Sequence, residues 1–262
     1  MKPEAYAGLA EARGEFKKLV ARWSKKAPYL AAFQERLKFE LGCDDYTLET
    51  PIVYNEALDD IGAEDEIAFV LAADNPGKNE QKAANRRYLV GQSGKLAEGF
   101  FRRELGVDFR KNVLIINKTP IHTPKTTQLK RLLAIAGAEA SDDASSDGAT
   151  NGDREALEAL LAESQVAMAR IAYKLHALLG APLWISGLGE LGPRGLFRHY
   201  AEALRIEYAT APEELREGVL LFSHFSMNRF AIEYREKADP QASAMENLRR
   251  IGADNRRRVL GW

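Results

Sequence analysis

The stretch from Ile67 to Gly77 reads IAFVLAADNPG, and it sets the architecture. Its first seven residues are apolar with little alternation, the pattern of a strand covered on both faces. The chain then breaks into Asp74-Asn75-Pro76-Gly77, a polar turn. Three more short runs share this texture: VLII at Val113–Ile116, LWI at Leu183–Ile185 and VLLF at Val219–Phe222. Helically spaced apolar residues separate them: Leu96, Phe100, Phe101 and Leu105, then Leu129, Leu132, Leu133 and Ile135, then a longer pattern from Glu155 to Leu179. Strands alternating with helices predict an α/β fold, a three-layer α/β/α sandwich around a short four-stranded parallel sheet.

Upstream, Leu9, Phe16 and Val20, then Leu30, Phe33, Leu37 and Leu41, recur at helical spacing, with a break at Ala27-Pro28. Residues 1–48 are therefore expected to form a helical segment packed on a core domain of residues 49–262. Ala138 to Asp153, AEASDDASSDGATNGD, has almost nothing to bury and reads as a mobile surface loop, or as one that closes over a ligand.

The 262 residues are 45% hydrophobic and 29% charged, ordinary for a globular protein of one large domain or two small ones. No apolar run approaches the roughly 20 residues a membrane-spanning helix needs. The first residues, MKPEAYAGLAEARGEF, carry charges where a signal peptide has its apolar core, so a reduced, cytoplasmic protein is expected. One cysteine, Cys43, cannot form an internal disulfide, a thiolate zinc site or an iron–sulfur cluster, and the four histidines lack metal-ligand spacing. No metal and no cofactor are expected. A net charge of −1 gives no global signature of nucleic-acid binding, but phosphate contacts need only a local basic face. Arg249, Arg250, Arg256, Arg257 and Arg258 near the end read either as a solvated helix end or as contacts to a DNA backbone.

In an open parallel sheet, ligands bind outside the carboxyl ends of the strands. The four exits here are Asp74-Asn75-Pro76-Gly77 with Glu80, Asn117-Lys118-Thr119-Pro120 with His122, Ser186-Gly187-Leu188-Gly189, and Ser223-His224-Phe225-Ser226 with Asn228 and Arg229. All four are polar, and three offer side chains suited to catalysis or base recognition. Val90-Gly91-Gln92-Ser93-Gly94-Lys95-Leu96 opens a helix, either as an anion site or as a turn capped by Ser93. Gly187-Leu188-Gly189-Glu190-Leu191-Gly192 has the outline of a dinucleotide fingerprint, but follows the third strand and lacks the acidic residue closing the next one.

Taken in order, these segments resemble the uracil-DNA glycosylase superfamily over about residues 67 to 230. The branch they most resemble usually carries an iron–sulfur cluster. Its first motif is matched by Ala73-Asp74-Asn75-Pro76-Gly77, Glu80 and Leu89-Val90-Gly91-Gln92-Ser93-Gly94-Lys95-Leu96. Its second is matched by Asn117 with Pro124 seven positions on, and its last by His224-Phe225-Ser226 with Arg229. The four cluster cysteines are absent, so no cluster is expected. The base-stacking phenylalanine of that branch falls at Leu89, beside Tyr88, and the proline of the last motif is Phe225. Asn75 stands where the uracil enzymes place a water-activating aspartate, and Asp74 where the iron–sulfur branch has its motif glutamate. The chain looks like a divergent member.

The resemblance implies strand order 2-1-3-4 and a monofunctional DNA glycosylase that hydrolyses the N-glycosidic bond of uracil or another deaminated or damaged base. The implied partners are single- or double-stranded DNA and water as co-substrate, with the protein a monomer. His224 would stabilise the departing base anion, and Asp74 or Asn75 would orient water, with Glu80 a reserve acid. Asn117, with Tyr88 or Leu89, would bind the base, since an amide offers both a donor and an acceptor. Ser93, Gly94, Ser226, Arg229 and Lys118 would contact phosphates, joined by Lys125 and Lys130; Arg229 would alternatively fill the gap left by an extruded base. Two rivals stay open: a catalytically silent nucleic-acid-binding module on the same scaffold, and a nucleotide or nucleoside hydrolase unrelated to DNA.

Overall fold

A computed structural model describes residues 1–43, 45–138 and 151–262. Most of the loop expected over 138–153 lies outside the described residues; its two ends belong to helices.

The N-terminal helices are α1 (Pro3–Lys26) and α2 (Leu30–Glu40). Pro3 starts α1 where its missing N–H costs nothing, and Glu4 and Lys25/Lys26 oppose the helix dipole at either end. Its buried stripe of Leu9, Ala12, Phe16 and Trp23 packs against α6. Then come β1 (Phe69–Ala73), α3 (Gln92–Leu105), α4 (Phe109–Asn112) and β2 (Val113–Asn117). The chain continues through α5 (Gln128–Ala138), α6 (Asn151–Leu179), β3 (Leu183–Ser186), α7 (Arg198–Tyr208), α8 (Glu213–Glu217) and β4 (Val219–Phe222). It closes with α9 (Arg229–Lys237) and α10 (Ala244–Leu260), the latter entered through a Ser243/Glu246 capping box.

The strands form one parallel sheet in the order β2-β1-β3-β4. Every strand residue is buried, as the unalternating apolar runs require when helices cover both faces. On one side α6 lies against β1 and β2, flanked by α1, α5 and α7. On the other, α10 covers β4, with α3 and α9 beside it. The fold is a three-layer α/β/α sandwich. Among the described residues no helix is long and apolar enough to cross a membrane.

Register decides what meets at the functional edge. Ala73 pairs with Asn117, and Ser186 with Phe222, so β1 and β2 end level with each other, as do β3 and β4. The next residues, Asp74, Lys118, Gly187 and the Ser223-His224 pair, therefore emerge along one rim.

Candidate active-site cleft

The rim opens into a cleft of about 950 Å³. Its walls are the turn after β1, the start of α3, residues 123–127, Gly187–Glu190, and the segment from Ser223 to Arg229. The strand order reverses between β1 and β3, which places the cleft where open parallel sheets bind ligands.

Asp74 is nearly buried, 6% exposed, and both its oxygens are engaged. Oδ1 accepts from the Lys118 ammonium at 2.5 Å and Oδ2 from the Thr126 hydroxyl at 3.2 Å. The Nε2 of His224 lies 3.9 Å from Oδ2. Gly187 must be glycine here: its φ is +80°, and a Cβ would stand 2.4 Å from Asp74 Oδ1.

His224 is held by its own turn. The Ser226 backbone N–H donates to Nδ1 at 2.9 Å, and the Ser226 hydroxyl lies 2.7 Å from the same nitrogen. A nitrogen that accepts from a backbone N–H carries no proton, so in the neutral ring the proton sits on Nε2, on the Asp74 side. Burial lowers the His224 pKa; Asp74 opposes that shift and Lys118 adds to it. At neutral pH the side chain is a neutral Nε2–H donor. Phe225 buries its ring in a stack on Phe230, centroids 4.5 Å apart, and so anchors this turn without the expected proline.

Asn75 directs its Nδ2 at the β2–α5 connection, donating to Thr123 Oγ1 at 2.9 Å and Ile121 O at 3.3 Å. Its Oδ1 is buried with no hydrogen-bond partner. Asn117 is 1% exposed and does not line the cleft, although its strand neighbour Ala73 does. Its Nδ2 is also buried without a partner.

Several expected contacts fall elsewhere. Lys118 cannot meet a phosphate: it is wholly buried, its ammonium bonding Asp74 and the Ser186 carbonyl above the Phe197 ring. Tyr88 cannot stack on a base. It turns inward, its hydroxyl donating to Val53 O at 2.5 Å, and Leu89, at φ +55°, forms the cleft wall instead. Among the described residues no Phe, Tyr or Trp lines the cleft. Ser93 does not cap α3; Gly91 holds the cap position, and Gly91, Gln92 and Ser93 line the cleft. Gly94 lies beneath the chain rather than on the wall, since a Cβ there would stand 1.4 Å from Leu89 O. Arg229 and Lys125 are exposed on the cleft wall, Ser226 serves His224, and Lys130 pairs with Glu190 at 3.4 Å. Of the C-terminal arginines, Arg256 bonds the carbonyls of Arg216, Val219 and Trp262, Arg257 pairs with Asp254, Arg258 bonds Asn255, and Arg250 bonds Lys237 O. Arg256 alone is buried and withdrawn from any phosphate, while Arg249, Arg250, Arg257 and Arg258 are exposed. The glycine-rich run after β3 forms a short 3-10 turn, Leu188–Glu190, and opens no helix, so it is not a dinucleotide site.

Two buried groups hold the turns around the cleft. His122 donates from Nδ1 to Pro76 O at 2.9 Å and accepts at Nε2 from the Tyr46 hydroxyl at 3.1 Å; burial pushes its pKa down to about 4. Glu80 lines the cleft, but Oε2 accepts from the Gly77 N–H at 3.0 Å, tying the turn after β1 together. Burial raises its pKa to about 7.

Sequence reasoning gave no role to Thr126 and passed over Met227. Nothing local to Thr126 announces that its hydroxyl reaches an aspartate 52 residues away. Met227 is 75% exposed on the cleft wall and, with Asn228, holds a left-handed backbone conformation. An exposed apolar side chain at such a position carried a signal only once the rim was known.

Among the described residues no group of three His, Cys, Asp or Glu side chains stands where it could hold a metal ion. No protein-family model, curated protein or solved structure matches the chain.

Proposed function

We propose that this protein is a monofunctional DNA glycosylase, a divergent relative of the uracil-DNA glycosylases, that hydrolyses the glycosidic bond of a deaminated or damaged base. The observation that carries the reading is the pairing of Asp74 and His224. They come from opposite ends of the chain's sheet segment to within 3.9 Å in one cleft, the imidazole fixed as an Nε2–H donor.

Cleavage leaves negative charge on the base and positive charge on the sugar. The Nε2–H of His224 stabilises the first by donating to a base carbonyl oxygen, an oriented dipole in a site largely shielded from water. The Asp74 carboxylate stabilises the second and accepts the proton of the attacking water. Asn75, tied through its Nδ2 to Thr123 and Ile121, holds the turn that presents the carboxylate to the cleft. Arg229 and Lys125 provide the positive rim for phosphates, and Met227 the apolar wedge that fills the stack when a base is extruded. Water is the co-substrate, and DNA the only partner the scheme requires.

Two observations favour the silent binding module instead. Both Asp74 oxygens already have partners, and the cleft wall presents no aromatic platform for a base. The deciding experiment is excision on labelled single- and double-stranded oligonucleotides carrying uracil, hypoxanthine, xanthine, thymine opposite guanine or ethenocytosine, with alkali revealing abasic sites. Product that falls at least about tenfold in His224→Ala, a barrier change of about 1.4 kcal/mol, is expected. No product, together with DNA retention that weakens steeply with salt, gives the binding module.

A further inference from the structure

From the geometry we infer that Lys118 is a positioning residue, a buried cationic clamp that fixes the Asp74 carboxylate and sets the charge felt by His224. This rests on the glycosylase reading for its catalytic consequence, but the clamp itself stands on the geometry. The register Ala73–Asn117 brings Asp74 and Lys118 out side by side. The ammonium then joins three strand ends: its own, Asp74 of β1 at 2.5 Å and the carbonyl of Ser186 at the end of β3. The Phe197 ring lies 4.9 Å beneath it and offers its π face as a further partner. Across the carboxylate stands His224, after β4.

A lysine without any exposed surface, placed beside a candidate catalytic carboxylate, is an expensive arrangement. A surface ion pair needs no such burial. What burial adds is immobility: the ammonium holds Oδ1, and Thr126 with His224, both on the cleft wall, faces Oδ2. The carboxylate plane is thereby fixed while one oxygen stays turned to the reacting side. The charged groups acting on this corner are Asp74 from β1, Lys118 from β2, Glu190 from the turn after β3, and His224 itself. Lys118 and Asp74 act on the imidazole with opposite sign, so the clamp has a spectroscopic signature that simple packing lacks.

The test is the titration midpoint of the His224 ring, read by NMR from the imidazole signal that disappears in His224→Ala. It is followed in the parent chain, Lys118→Met, Asp74→Asn and the double variant, with excision rates alongside. The midpoint is expected to move up in Lys118→Met and down in Asp74→Asn, each by on the order of one unit. Excision should fall more than about tenfold in Lys118→Met through kcat, with KM for the oligonucleotide changed less than about threefold. An unmoved midpoint in Lys118→Met, or an excision rate within about twofold of the parent, overturns the proposal. Should Lys118→Met not fold, the double variant, which removes both charges, takes its place: its midpoint must lie above that of Asp74→Asn, and equality overturns the clamp. A parent chain without excision on any oligonucleotide refutes the glycosylase reading separately, and the midpoints still decide the clamp.

Discussion

Replacing Gly187 by alanine tests the link between backbone and site most directly. The residue sits at φ +80°, where a Cβ costs about 1–2 kcal/mol from contact with its own backbone, less about 0.4–1 kcal/mol regained from a stiffer unfolded chain. At Gly106, the left-handed cap of α3, the φ is +64° and a Cβ would meet nothing within 4 Å. Gly106→Ala should therefore cost no more than about 1.6 kcal/mol. At Gly187 the same Cβ would stand 2.4 Å from Asp74 Oδ1 and 3.1 Å from Oδ2 and Cγ. The carboxylate cannot retreat freely, because the Lys118 ammonium lies 2.5 Å from that same Oδ1. Overpacking of this kind adds about 1–3 kcal/mol. Weakening the buried ion pair pushes the cost toward the upper end, so Gly187→Ala should lose about 2–4 kcal/mol in all. Urea unfolding of both variants measures the difference, and Tm should fall about 2–4 °C per kcal/mol. Under the proposed function, excision by Gly187→Ala should drop with the displaced carboxylate, whereas Gly106→Ala keeps its rate. Losses equal to within about 0.5 kcal/mol would refute the argument, since Asp74 would then not be packed on Gly187.

The remaining predictions concern pH. His122 and His176, the latter buried in α6 with its Nδ1 2.6 Å from the Tyr208 hydroxyl, are both pushed by burial down to about 4 and bind fewer protons folded than unfolded. Their stabilisation is complete above about 6.5 and lost as pH falls through about 4, at most about 3 kcal/mol each. The urea midpoint should fall accordingly between pH 7 and 4, and an unchanged slope in His122→Gln would contradict its share. Glu80 has the opposite sign, since its carboxyl is raised to about 7 and binds more protons folded. Stability from this group is full below about 4.5 and lost as pH rises through about 7. Glu80→Gln should therefore gain stability relative to the parent chain between pH 5 and 8, and parallel profiles would show that Glu80 does not titrate in that window.

The sandwich was legible because burial on both faces leaves a coarse mark. Four unalternating apolar runs, each ending in a polar turn, became β1 to β4 with boundaries shifted by at most two residues. The break at Ala27-Pro28 fell between α1 and α2 for the same kind of reason, proline being unable to continue a helix. The strand order 2-1-3-4, which followed from resemblance and not from periodicity, is the order observed.

Side-chain direction left no such mark. Lys118 and Arg229 are both basic residues at strand exits, yet one is sealed under Asp74 and the other stands in solvent. Tyr88 and Leu89 are adjacent, and only the left-handed turn at Leu89 decides which of them lines the cleft. Composition and periodicity thus determined which residues form the sheet and that chemistry gathers at its carboxyl edge, since hydrophobic patterning is a local property of the chain. The tertiary structure alone decided which polar groups meet. Pairing Asp74 with Lys118 depends on the register between two strands 44 residues apart, and the 3.9 Å approach of His224 on the ends of β1 and β4 lying at one rim. Those distances are set by the packing of the whole sheet, which no local stretch encodes.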